Sequence, residues 1–189
     1  QKEQELGYEY REDLYVPGYF EFDIKKGESV VFAAGLSELK TNQMKKIFDH
    51  EYDVHVPRTN FQSCLVNAAH QFHYERDGET YIIAGYPWFK CRARDMFVSL
   101  PGLTLAIDEV EYYEKAMKTA VKALNDFMDG TDTNIMMCEM EKPDVLLWAV
   151  WCIQQYSRLV STEAAMEKYG KLVGKIIDFI RQGKHPNLL

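Results

Sequence analysis

"PDVLLWAVWCIQQYSRL", residues 143 to 159, decides how this chain folds. Apolar residues fall on nearly every side of the helix it would form, and such a helix needs neighbours packed all round it. Pro143 suits the first helical turn, because the N–H that proline lacks has no intrahelical partner there. The next segment, 162 to 182, is amphipathic instead, with Lys168, Lys171, Lys175 and Arg181 on its wet side. Upstream, 109 to 128 reads as another amphipathic helix, ended near "DGTDTN". Before it a helix runs from Ala93 to Ile107, with the Pro and Gly of "PGLTL" (101 to 105) set to kink it. Buried and half-buried helices thus alternate, as they would in a double ring.

Further back, Arg58 to about Tyr74 places Phe61, Leu65, Ala68, Ala69 and Phe72 on one helical face. "ERDG" then turns and "ETYIIAGYPWF" is extended. Residues 38 to 49 make a short polar helix, followed by the extended "DVHVPR". The first 35 residues differ in kind. "GYFEFDI" alternates large apolar with acidic side chains, and "SVVFAA" follows "KKGE", which reads as strand, turn, strand with Gly27 in the turn. Two strands are marginal in water by themselves, so they call for a larger sheet.

Composition bounds the function. A chain of 189 residues holds one domain with a sizeable core, or one domain and a piece of another. A formal net charge of −7, with no Lys/Arg cluster longer than a pair, argues against nucleic acid and anionic membranes as partners. A neutral or cationic ligand fits better. No apolar run of ~18 residues is present to span a membrane. The polar start "QKEQELGYEY" has neither a signal-peptide core nor an initiator Met, which points to a processed or truncated product. Cys64, Cys91, Cys138 and Cys152 form no CxxC and read as free thiols in a reducing, cytoplasmic setting. His70 and His73 stand three apart with no third ligand suggested nearby, so they read as an ordinary histidine pair and no metal is expected. Phosphate loop, nucleophile elbow and dinucleotide fingerprint are all missing from the sequence.

Two stretches carry chemistry. "AGYPWFKCRARD", 84 to 95, sets aromatic faces beside Arg94 and Asp95 where a helix begins. Arg offers a rigid fork of N–H donors and a carboxylate accepts from O–H, while the Trp88 face can cover the C–H side of a sugar ring. A salt bridge beside a packed Trp is the structural alternative. In "EMEKPDVLLW", 139 to 148, Glu139, Glu141 and Asp144 flank a helix start. A carboxylate there commonly just complements the helix dipole. As a general acid, Asp144 would need desolvation by residues such as Trp148, or a neighbouring carboxylate, to outweigh that dipole.

These stretches resemble the C-terminal glucosidase domain of the glycogen debranching enzymes, the amylo-α-1,6-glucosidases. The family pattern is an "AGYPWF" segment, a Gly-Arg-Asp-Thr element and an "SLPGL" helix, similar to "AGYPWFKCRARDMFVSLPGLTL" here. An Asp opening a Trp-bearing helix follows about fifty residues on, similar to "PDVLLWAVWCIQQY". "REDLYVPGYFEFDIKKGESVVFAAG" looks like the end of the β-rich domain that precedes the helical one. Ala93 stands where the family has Gly, and Met96 where it has Thr.

The resemblance implies a mainly α fold, about half of an (α/α)6 toroid, preceded by a short β segment. Residues 1–36 would end the β-rich domain, 37–57 would be a linker helix and connection, and 58–189 the first part of the glucosidase domain. It implies hydrolysis of α-1,6-linked glucose at glycogen or branched α-glucan branch points, with inversion and no cofactor. Asp144 would be the general acid, Arg94 and Asp95 would grip glucose hydroxyls, and Trp88 and Trp148 would wall the sugar. The catalytic base lies further downstream in the family, so the chain is expected to be a fragment, inactive alone. A non-catalytic carbohydrate-binding or scaffold protein of the same architecture, and a helical-toroid hydrolase for another glycan, are the rival expectations.

Overall fold

"ERDGET" makes a hairpin because Asp77 and Gly78 both take positive φ (54° and 77°), as a two-residue type I′ loop requires. The computed structural model describes the chain apart from residues 1, 8, 12, 86–88, 132, 133, 135, 188 and 189. Strand β1 (His73–Arg76) pairs antiparallel with β2 (Glu79–Ile82), His73 opposite Ile82 and Arg76 opposite Glu79. The helix expected from Arg58 to Tyr74 is therefore shorter. Asn60 caps it, its Oδ1 accepting from the Ser63 N–H at 2.9 Å while Ser63 Oγ accepts from the Asn60 N–H at 3.1 Å. The helix then ends at His70.

The chain divides into two units, residues 1–54 and 55–189. In the first, helix α1 (Lys2–Glu5) is followed by extended chain and then helix α2 (Thr41–Val54), which has no buried residue. The turn expected at Gly27 forms, with φ +91° and the Glu28 N–H donating to the Lys25 carbonyl at 3.0 Å. The strands expected on either side of it do not: among the described residues from 9 to 40 there is no ladder. The rings of Phe20, Phe22 and Phe32 gather across the turn, Phe22 edge-on to Phe32 at 4.9 Å, but all three stay exposed. A lone pair of arms buries too little to hold a ladder in water.

The second unit is mainly helical. Helix α3 (Phe61–His70) leads into the hairpin, and β3 (Cys91–Arg92) runs directly into α4 (Ala93–Leu103). Then come a 3-10 turn (Leu105–Ile107), α5 (Val110–Met128), β4 (Met137–Cys138), α6 (Val145–Leu159) and α7 (Thr162–Arg181). The helix expected to reach Ile107 stops at Leu103. Pro101 inside it lacks an N–H for the i−4 bond, and the backbone leaves helical geometry at Thr104.

Helix α5 shows how sequence period becomes packing. Tyr113, Ala116, Met117, Ala120, Ala123 and Leu124 recur at helical spacing and are buried. Three alanines on that face let its neighbours, β2 and α7, come close. Helix α7 starts at Ser161, whose Oγ accepts from the Ala164 N–H at 3.1 Å. Met96, Phe97 and Leu100 of α4 and Leu146, Ala149 and Ile153 of α6 complete the core.

One expectation about α6 needs correction. Val145, Leu146, Ala149, Cys152, Ile153 and Tyr156 are buried, but Leu147 is 54% exposed and Trp151 36%. Helices α4 and α7 both pack on α6, but neither covers these two side chains, which line an open groove beside α7. All four cysteines are free thiols. No helix among the described residues is long and apolar enough to cross a membrane.

Candidate functional site

Strands β3 and β4 pair in parallel, Cys91 opposite Met137 and Arg92 opposite Cys138. Helix α4 leaves β3 at once, and α6 follows β4 after the loop 139–144. Because the strands are parallel and the helices pack on each other, both helices start from the same edge. Fifty positions of sequence are closed to hydrogen-bond distance this way.

At that edge Arg94 donates to Asp144 Oδ1 through Nη2 at 2.7 Å and through Nε at 3.1 Å. The other carboxylate oxygen, Oδ2, accepts from the Trp148 indole N–H at 3.0 Å. Asp144 occupies the N-cap position of α6, yet its side chain makes no cap hydrogen bond. Both of its oxygens are committed to Arg94 and Trp148, which are tertiary and next-turn partners. Pro143 lies just outside the helix, which begins two residues later than expected, at Val145.

The other carboxylates of this loop do different things. Glu139 takes a left-handed backbone (φ +63°) that turns the chain from β4 toward α6, and its carboxylate lies 3.5 Å from Arg92 Nε. Arg92 also sits 4.7 Å over the Phe89 ring. Glu141 is exposed, and its carbonyl accepts from Asn187 Nδ2 at 2.8 Å. Asp95 is exposed in the first turn of α4, where it favours the helix dipole. Trp88 lies outside the described residues. Nearby, the Phe89 N–H donates to the Gly85 carbonyl at 2.9 Å, and a Cβ on Gly85 would meet the Phe89 ring at 2.6 Å.

The two departures from the family pattern sit behind this edge, in the core. Ala93 and Met96 are fully buried, and the Cys91 thiol lies 3.5 Å from the Met96 sulfur. Met96 therefore fills core volume and leaves the Arg94 side of the helix untouched.

Electrostatics follow from the geometry. The Arg94 guanidinium holds the Asp144 carboxyl below its ordinary 3.8; desolvation opposes this, and the Trp148 N–H adds to the lowering. Asp144 is thus an anion at neutral pH. Both side chains of the pair are more than a third exposed, so solvent screens the attraction and the pair contributes little to stability.

Trp148 meets Trp151 edge-on, ring centroids 5.4 Å apart. Trp151 in turn lines a groove of about 420 Å³ between α6 and α7, with Leu147, Met166 and Val173. Far along α4 a second polar group gathers. His70, His73 and Glu109 bring their ligand-capable atoms within 4.8 Å of one another. The histidine pair was legible in sequence. Glu109, thirty-six residues on, was not, because no local spacing points to it.

A guanidinium, a carboxylate and an indole N–H meeting at two helix starts make a hydrogen-bonding edge suited to a hydroxyl-rich ligand, on a mainly helical scaffold. Comparison with known families gives that edge its context. Residues 60–187 match the family model described as amylo-alpha-1,6-glucosidase, and residues 1–31 match the one described as glycogen debranching enzyme N terminal. The first match covers more than half of the chain, which therefore belongs to the amylo-alpha-1,6-glucosidase family. No curated protein and no solved structure matches the chain.

Proposed function

We propose that the Arg94–Asp144–Trp148 edge is the acid side of a glycoside hydrolase site that releases α-1,6-linked glucose from glycogen or a branched α-glucan. The observation that carries this is the meeting of Arg94 and Asp144 at 2.7 Å, with Trp148 on the same carboxylate. Family membership supplies the substrate class.

In the free protein Asp144 is ionised, so its acid role begins with an exchange of partners. Glucose hydroxyls accept from the Arg94 fork and draw it off the carboxylate. The sugar also displaces water from the edge beside Trp148. Both changes raise the affinity of Asp144 for a proton, which it then delivers to the glycosidic oxygen as the C–O bond breaks. Asp95 accepts from a neighbouring hydroxyl, and Trp88 covers the apolar face of the ring. Inversion needs a second carboxylate roughly 6.5–9.5 Å away to deprotonate the attacking water. We assign that base to none of these 189 residues, and we place α3 to α7 in a larger (α/α)6 ring.

Proton NMR of the protein encoded by the whole reading frame, acting on an α-1,6-branched glucan, tests this. The β anomer of glucose should appear first, and early α-glucose would exclude inversion. A second reading, a carbohydrate-binding protein without turnover, is favoured by the ionised state of Asp144. Glucan binding with no glucose released would select it.

A further inference from the structure

We propose that His70, His73 and Glu109 form a binding site for a divalent transition-metal ion of borderline softness, zinc foremost. It stands apart from the hydrolytic reading and does not rest on it. Leu103 closes the C-terminal end of α4, whose first turn carries Arg94. An eleven-residue helix is roughly 16 Å long, so the two sites lie at opposite ends of α4.

The donor set comes from three separate elements. His70 is the last residue of α3, His73 the first of β1, and Glu109 stands immediately before α5. His70 Nε2 lies 2.5 Å from Glu109 Oε1, and His73 Nδ1 lies 3.7 Å from Glu109 Oε2. Atoms bound at about 2.0–2.2 Å to a tetrahedral ion sit about 3.3–3.6 Å apart. Shifts of about an ångström in the partly exposed His70 and Glu109 side chains, around a fixed His73, convert one arrangement into the other.

The partner behind His73 is the second observation. Its Nε2 lies 3.0 Å from the Leu103 carbonyl. A carbonyl only accepts, so Nε2 must carry the proton, and Nδ1 of the neutral ring is left as a lone pair facing Glu109. An imidazole whose far nitrogen donates to a carbonyl is how histidine ligands are oriented for metals. The ring is further held flat against Tyr112, centroids 3.8 Å apart. Two imidazole nitrogens and one carboxylate oxygen suit zinc, cobalt(II) or nickel(II) and give little to magnesium.

His70 and Glu109 are each about a third exposed, which leaves the fourth position to water. His70 would bind through Nε2 in the tautomer that carries its proton on Nδ1, and its hydrogen bond to Glu109 would give way to bonds from both side chains to the ion. The ion would tie the end of α3 and the start of the hairpin to the start of α5.

Cys64 is an exposed thiol that could bind zinc adventitiously, so the test uses a Cys64→Ser background. Cobalt(II) and zinc are titrated into this protein, with magnesium as control. Expected are one ion per chain, visible cobalt bands of low coordination number without a thiolate charge-transfer band, and a zinc-dependent rise in Tm. His70→Ala should weaken binding at least about tenfold and abolish the Tm rise. Glu109→Gln keeps the side-chain shape should the first variant fold poorly, and should do the same. No stoichiometric binding, a thiolate band, or affinity unchanged in the folded Glu109→Gln protein would each overturn the proposal.

Discussion

Asp144 has its two oxygens spoken for, one by a guanidinium and one by an indole N–H. Its folded pKa is depressed, so the pairing contributes stability above its ordinary 3.8 and loses it as pH falls through the lower folded value. Arg94 is the largest cause. Arg94→Met should therefore move the Asp144 titration upward, read by carboxyl carbon-13 NMR. An unchanged titration would mean that the contact does not form in solution. At this scale the sequence was legible in part. Arg94 and Asp144 could be named through a family pattern, but nothing local says that residues fifty apart touch. Glu109 was illegible for the same reason: its partners arrive by tertiary folding.

Helices were read well where one face is plainly apolar, as in α5 and α7, whose ends fall within a residue or so of expectation. The hairpin strand β1 was absorbed into a helix because Phe72 extends the apolar face begun at Phe61. Only the Asp77–Gly78 turn and its pairing with β2 overrule that run. Helix α6 misled in another way. Apolar content on every side does not say which sides find neighbours in this unit. Leu146 is fully buried and the adjacent Leu147 is 54% exposed, which gives a direct test. Leu146→Ala should cost about 2–5 kcal/mol in urea denaturation, and Leu147→Ala within roughly 0.5 kcal/mol. Equal costs would mean that α6 is enclosed all round after all.

The chain comprises a well-packed helical unit, 55–189, and a unit, 1–54, whose described aromatic residues remain in solvent. The alternating pattern of residues 19–24 was legible as strand chemistry, but a strand needs partners, and a pattern does not supply them. The architecture around the site follows from two parallel dipeptide strands, which start α4 and α6 at one edge and make Arg94 and Asp144 neighbours.

That Asp144 is the proton donor of this edge is most directly tested by Asp144→Asn in the protein encoded by the whole reading frame. Asn keeps the shape and an acceptor for Trp148 but cannot give up a carboxyl proton. Release of α-1,6-linked glucose should fall by roughly 10²–10⁴-fold in kcat with glucan binding little changed. Turnover at the wild-type rate would contradict the assignment.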